Sequence, residues 1–293
     1  MKLFYISTFS LLVLTTVVML AIGLQHNPTE TPTIAVAERR IAGTAAPCAG
    51  NTTDTLRLVG HHFLLDSNYA PTDLVEVYTL SRIFSINISL AGMQLRQEAR
   101  IGLESLLAAL ENEGFEKLLL VSGFRDYDTQ AALYNSSRYD VVVADCGTEL
   151  FNIAMPGASE HQLGLAIDLQ TVDGNLRDFH LTQAGAWLHD NAHYYGWIVR
   201  NREIDEALTN IISEPWHFRY VGVPHAAVMQ YLDVCLEQYL DLLRENIVTD
   251  IHIRGQSWQV QYFADGEEVF VPATHLYTTS SDVYGGTLVT IRR

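Results

Sequence analysis

The sequence predicts an α+β fold: a small mixed or antiparallel sheet with flanking helices, followed by a short β-rich C-terminal extension. Three observations carry this. Between residues 54 and 245, helical and strand periodicities interleave irregularly instead of alternating as a regular α/β sheet requires. After Glu245 the pattern turns to two-residue alternation, with Trp258, Val260 and Tyr262 set against Gln259 and Gln261. Of the 293 residues, 48% are apolar and 18% charged, which supplies a packed core and excludes intrinsic disorder for the bulk of the chain.

The elements follow in chain order. Leu95, Ala99, Leu103, Leu106, Leu107 and Leu110 recur at helical spacing, and Gly114 marks the stop. Leu118 to Val121 is a continuous apolar run, read as a buried strand that ends at Ser122-Gly123. Residues 126–138 read as a helix. Leu165, Ile167 and Leu169 alternate with Gly164, Ala166 and Asp168, the mark of a strand. Thr182 caps a helix running to Tyr195, with Gly196 as its end, and Pro224 opens a long helix through Leu243. Asp265-Gly266 predicts a hairpin turn before Val269-Phe270-Val271. A tail of about fifty residues is marginal as an independent domain, so it is expected to pack on the body of the protein.

Leu3 to Leu24 is uncharged and mostly apolar, preceded by Lys2. As a helix, a run of about 22 residues spans roughly 33 Å, which matches a bilayer core. Residues 1–24 are therefore read as a signal or membrane anchor; Ala21-Ile22-Gly23 resembles a small-residue cleavage site. Lys2 favours a cytoplasmic N-terminus with the rest outside, and Arg39 and Arg40 pull weakly the other way. Residues 25–53, rich in Pro, Thr, Ala and Gly, read as a linker. Residues 54–245 form the main domain and 246–293 the β-rich extension.

The net charge is −16, and the only lysines are Lys2 and Lys117. Such a chain is repelled by phosphate backbones, which excludes nucleic acid as a partner. Cys48, Cys146 and Cys235 form no CxxC pair, so a thiolate zinc knuckle and a dense disulfide scaffold are excluded too. One disulfide with a leftover thiol, or three free thiols, remain open.

Most of the histidines are isolated. His189 and His193 have metal-binding spacing, but no HExxH pattern surrounds them. Two segments differ: Ser159-Glu160-His161-Gln162-Leu163-Gly164-Leu165-Ala166-Ile167-Asp168 and Glu214-Pro215-Trp216-His217. His161, Asp168 and His217 offer two imidazoles and a carboxylate, a set that suits a catalytic zinc with one open position. Pro215 places Glu214 and His217 outside a regular helix interior. Glu214 is the natural proton acceptor for a metal-activated water. Each segment alone also fits a polar strand end, and a Ser159/His161/Asp168 triad is a nominal alternative that lacks a GxSxG elbow.

The two segments match the SxHxxGxAxD and ExWH signatures of the D-alanyl-D-alanine carboxypeptidase family of zinc peptidases. The chain thus resembles VanY-type and LdcB-type enzymes, related in their zinc site to hedgehog amino-terminal domains. Ser122-Gly123-Phe124-Arg125-Asp126-Tyr127-Asp128-Thr129-Gln130 resembles the family's SGxRxxxxQ segment, and residues 65–74 resemble the opening of its catalytic domain. The resemblance covers residues 58–243. It implies that His161, Asp168 and His217 hold one zinc ion, that Glu214 is the general base, and that Arg125 stabilises the oxyanion. Ser159, Gln130 and Trp216 are the implied substrate contacts. The implied function is an exported zinc carboxypeptidase of the bacterial cell envelope that removes the C-terminal D-alanine from peptidoglycan stem peptides, with D,D and L,D variants both open. An acyl-serine mechanism is excluded in its standard form, since Lys117 has Gly114 where Ser-x-x-Lys needs serine. The competing reading is a wall-binding or signalling module with a structural zinc site. Glu214 and Arg125 speak against it, because a structural site needs neither a base nor an oxyanion donor.

Overall fold

The computed structural model describes residues 33–35, 44–45, 52–115, 117–136, 141–143, 149–246, 250–271 and 275–293. The apolar segment at 3–24, Cys48 and Cys146 lie outside them. Among the described residues, no helix is long and apolar enough to cross a membrane, and Cys235 is a free, buried thiol.

The central sheet consists of β1 (Ile86–Ile88), β2 (Leu118–Ser122), β3 (Ala166–Thr171), β4 (Trp197–Asn201) and β5 (Glu214–Tyr220) in the order β4-β5-β3-β2-β1. β1 and β2 run parallel and every other pair is antiparallel, so the sheet is mixed as expected. The helices are α1 (Gln97–Glu113), α2 (Tyr127–Ser136), α3 (Gln183–Asn191), α4 (Val223–Leu232) and α5 (Leu236–Arg244), with an additional single turn at Glu206–Thr209. α1 buries Ala99, Leu103, Leu106, Leu107 and Leu110 along one stripe, in one core with Leu118 and Leu120 of β2 and Ile167 and Leu169 of β3. Gly114 ends it in the left-handed conformation, φ 70°.

Two adjustments to the sheet matter for function. β3 pairs with β5 so that Asp168 lies opposite His217, and with β2 so that Asp168 lies opposite Ser122. The register shifts between Leu120 and Ser122, and again between Val199 and Asn201, where Asn201 comes to face Glu214. Irregularities of this kind re-aim side chains at the end of a sheet. Here they gather polar groups at one end of the three central strands.

A second five-stranded antiparallel sheet combines Thr33–Ala35 with β6 (Asp250–Ile253), β7 (Gln256–Phe263), β8 (Leu276–Ser281) and β9 (Thr287–Arg292). Its Trp258, Val260 and Leu288 share a core with Leu236, Tyr239, Leu240 and Leu243 of α5. The tail thus packs on the helices that follow β5.

Four expectations change. The helix expected through Leu243 is two: Asp233 takes a left-handed backbone at φ 53°, which aspartate tolerates, and Cys235 starts α5. The helix capped by Thr182, whose hydroxyl accepts the Gly185 N–H at 3.0 Å, tightens into a 3-10 turn over Ala192–Tyr195 before Gly196. Gly266 turns the chain at φ 78°, but among the described residues no hairpin forms with β7. Both edges of β7 are taken by β6 and β9, so Phe270–Val271 pairs with Thr44–Ala45 instead. Within the segment read as linker, Thr33–Ala35 and Thr44–Ala45 are therefore strands.

Candidate active site

Asp168 and His217 meet because adjacent antiparallel strands set them side by side, with His217 Nδ1 3.0 Å from Asp168 Oδ1. His161 arrives from the 3-10 turn Glu160–Leu163, which precedes β3. Gly164 closes that turn at φ 67°, and a Cβ there would come within 2.8 Å of Leu74 Cδ2. Only glycine therefore lets the turn lie against Leu74 and Arg96. The ring of His161 is fixed by its Nδ1, 2.7 Å from the Gly123 carbonyl, so its Nε2 points at Asp168 Oδ2 at 3.2 Å.

These three residues are buried, and their donor atoms lie within 4.8 Å of one another. Each imidazole has one nitrogen engaged elsewhere: His161 Nδ1 on a carbonyl, and His217 Nε2 on Glu160 Oε2 at 3.3 Å. The remaining nitrogens converge on one carboxylate, where two neutral rings would present lone pairs to anionic oxygen. Positive charge at that point resolves the conflict. His217 responds accordingly, since bonds to Asp168 and Glu160 raise its pKa to about 10 against the effect of burial. Burial likewise opposes ionisation of Asp168, yet His161 and His217 hold its carboxyl well below the usual range. Two nitrogens and an oxygen with this charge demand fit zinc.

Glu214, at the start of β5, has its Oε2 held by the Asn201 side-chain amide at 2.6 Å. Burial pushes its pKa up to about 7. Arg125 follows β2 and is fixed by Gln130 Oε1 at 2.6 Å and Ser122 Oγ at 2.9 Å. Its Nη2 stands 3.8 Å from Asp168 Oδ2. The amide of Gln130 also donates to the Ala154 carbonyl, and the side chain is 1% exposed. Ser159 is buried at the start of the turn that carries His161. Trp216 is half-buried and packs against the main core.

One cavity of about 500 Å³ is lined by every residue singled out in the sequence: Arg125, Gln130, Ser159, His161, Asp168, Glu214, Trp216 and His217. Glu160, Asn201, Arg200 and Arg219 also bond to one another or to these residues, and no motif in the sequence assigns them a role. Arg219 was detectable, since it lies two residues after His217 on a strand and so shares its face. Asn201 was not, because it reaches Glu214 only through the register shift in β4. His189 and His193 do not form a second site: His189 Nε2 bonds to the Pro215 carbonyl at 2.9 Å.

A mixed sheet that presents a His-Asp-His set beside a half-buried carboxylate and a fixed arginine defines a single-metal hydrolase. The comparisons refine that class. The family model "VanY: D-alanyl-D-alanine carboxypeptidase" matches residues 92–223. The chain is 35% identical over 198 residues to the putative carboxypeptidase YodJ of Bacillus subtilis, covering 67% of this chain and 70% of that one. It is 34% identical over 200 residues to the bifunctional D-Ala-D-Ala dipeptidase and D-Ala-D-Ala carboxypeptidase VanXYC of Enterococcus gallinarum, covering 66% and 97%. A solved LdcB LD-carboxypeptidase superposes with a TM-score of 0.54 at 33% identity, covering 68% of this chain and 94% of that one. The chain spans 55% and 53% of two D-alanyl-D-alanine carboxypeptidases, from Enterococcus faecium and Enterococcus faecalis. The protein belongs to the VanY D-alanyl-D-alanine carboxypeptidase family, and its His161, Asp168 and His217 are placed to hold a metal ion.

Proposed function

We propose that this protein is exported and removes the C-terminal D-alanine from peptidoglycan stem peptides, by zinc-dependent hydrolysis of a D,D or L,D bond. The observation that carries this reading is the placement of Glu214 and Arg125 in the same cavity as the three metal donors. A structural site has no use for either. The names of the relatives, which include D-Ala-D-Ala and LD carboxypeptidases, support the substrate class. The apolar run at 3–24 supports export.

In this reading His161, Asp168 and His217 hold the ion, which when bound supplies the positive charge that acidifies water and polarises a carbonyl. Glu214 accepts the proton of the attacking water and passes it to the departing amine nitrogen. Asn201 keeps its carboxylate aimed during both transfers. Arg125 donates to the oxygen that becomes negative, and its planar fork is immobilised beforehand by Ser122 and Gln130. Gln130, expected from the sequence to be a substrate contact, acts by holding Arg125, because its amide is already spent on Arg125 and Ala154. Ser159 and Trp216 remain as contacts along the wall.

A base must be ionised to work, so activity falls as pH drops through the pKa of Glu214. Burial raises that value from an ordinary 4.5 to about 7, and a bound dication lowers it from there. The acid limb of kcat/KM is therefore expected between these two values. An acid limb below the ordinary carboxylate value would remove Glu214 as the titrating base.

The reaction itself is tested by mass spectrometry of products from the zinc-loaded full-length protein, offered tetrapeptide and pentapeptide stems with and without chelator. Chelator-sensitive loss of one alanine is expected, and the stem shortened first separates the L,D from the D,D preference. Retained zinc with neither stem cut would refute the proposed substrate.

A further inference from the structure

We infer that Glu160 is a positioning residue that fixes the tautomer of His217, and with it the capacity of His217 Nδ1 to bind metal. This rests on the reading of His217 as a zinc ligand. Glu160 is 7% exposed and makes no contact that the reaction requires. Its two oxygens face different partners. Oε1 accepts from Arg200 Nε and from Arg219 Nη1, both at 2.8 Å, while Oε2 faces His217 Nε2 at 3.3 Å.

Neither arginine is free to turn away. Arg219 is fully buried and spends its other N–H groups on the carbonyls of Thr55 at 3.0 Å, Arg57 at 2.9 Å and Tyr220 at 3.1 Å. Arg200 is clamped by Glu237 through both terminal nitrogens, at 3.2 and 2.6 Å. The Oε1 position is thus reserved for an acceptor. An acceptor at Oε2 in turn requires a proton on His217 Nε2, which leaves the lone pair on Nδ1, the atom beside Asp168. Carboxylates that orient metal-bound histidines in this way are worth about ten- to a hundred-fold in affinity.

The consequence is specific to the isosteric substitution. In Glu160→Gln, the two arginines claim the amide oxygen, so the amide nitrogen must occupy the Oε2 position. It then donates to His217 Nε2 and drives the proton to Nδ1, where it blocks the metal. Glu160→Ala has no such bias, although it takes the shared Oε1 acceptor from both arginines and leaves only the Glu237 carboxylate to balance them, so it costs more stability.

The test is zinc affinity by chelator competition, with melting of the metal-free forms, for the full-length wild type, Glu160→Gln and Glu160→Ala. The expected order of affinity is wild type, then Ala, then Gln, with the Gln variant weakened toward about a hundred-fold. The expected order of stability is wild type, then Gln, then Ala. A purely structural role makes affinity follow stability, so Gln binding zinc as tightly as Ala or tighter would overturn the inference. A wild type that binds no zinc would instead overturn the reading of the metal site. Should the variants fail to fold, 15N spectra of zinc-loaded wild type decide: a metal on His217 Nδ1 and a proton on Nε2 are expected, and the reverse refutes the role of Glu160.

Discussion

Glu214→Ala is expected to keep its zinc and lose on the order of 10²–10⁴ in kcat, the range for removal of a general base. The geometry separates the two properties. Glu214 is not among the three converging donors, and its side chain is held by the Asn201 amide. Its removal leaves the Asp168 contacts with His161 and His217 intact, so metal content and fold should be preserved. What disappears is the only step in the scheme that moves a proton from water to the amine. Zinc content and steady-state turnover, measured on the same preparation, check this. A variant with full zinc and normal kcat would remove Glu214 from the reaction, whereas a variant without zinc would make it a ligand.

His217→Ala is expected to lose both. The substitution takes one of three donors from the ion and leaves Glu160 Oε2 and Asp168 Oδ1 facing a gap. Zinc should fall from about one equivalent to near zero after dialysis, because structural and catalytic sites alike need at least three protein donors. Turnover should fall with it. Metal analysis by mass spectrometry provides the check, and unchanged zinc content would show that the donor set has been misassigned.

Much of this site is legible in the sequence because its chemistry is concentrated in short segments. His161 and Asp168 are separated by one tight turn and the first half of a strand, and Glu214 and His217 belong to a single strand. Local pattern is enough to place them. What joins the segments is strand pairing, and that is not legible: nothing in the sequence states that Asp168 faces His217 in one direction and Ser122 in the other. The residues that work through long-range pairing escape for the same reason. Asn201 reaches Glu214 across a register shift, and Arg200 reaches from β4 to Glu160 in the turn before β3.

The fold divides along the same line. α1 is readable because five apolar residues mark one face and Gly114 ends it, although Leu95, read with them, belongs to the strand Gln94–Arg96 before the helix. The break between α4 and α5 is not, since apolar residues continue through Val234 and Cys235 and only the left-handed backbone of Asp233 reverses the chain. The hairpin expected at Gly266 fails because local turn chemistry is correct while the partner strand is chosen by the rest of the sheet. Competition for an edge is a property of the assembled sheet and leaves no local mark.

The central claim is that one zinc ion, held by His161, Asp168 and His217, supports the hydrolysis. Titration of the metal-free full-length protein with zinc, with release of D-alanine from a stem peptide followed at each addition, tests it most directly. Turnover should be absent at the start, rise in proportion to added zinc and level off at about one equivalent. Turnover that persists without metal, or that continues to climb well beyond one equivalent, would contradict the account.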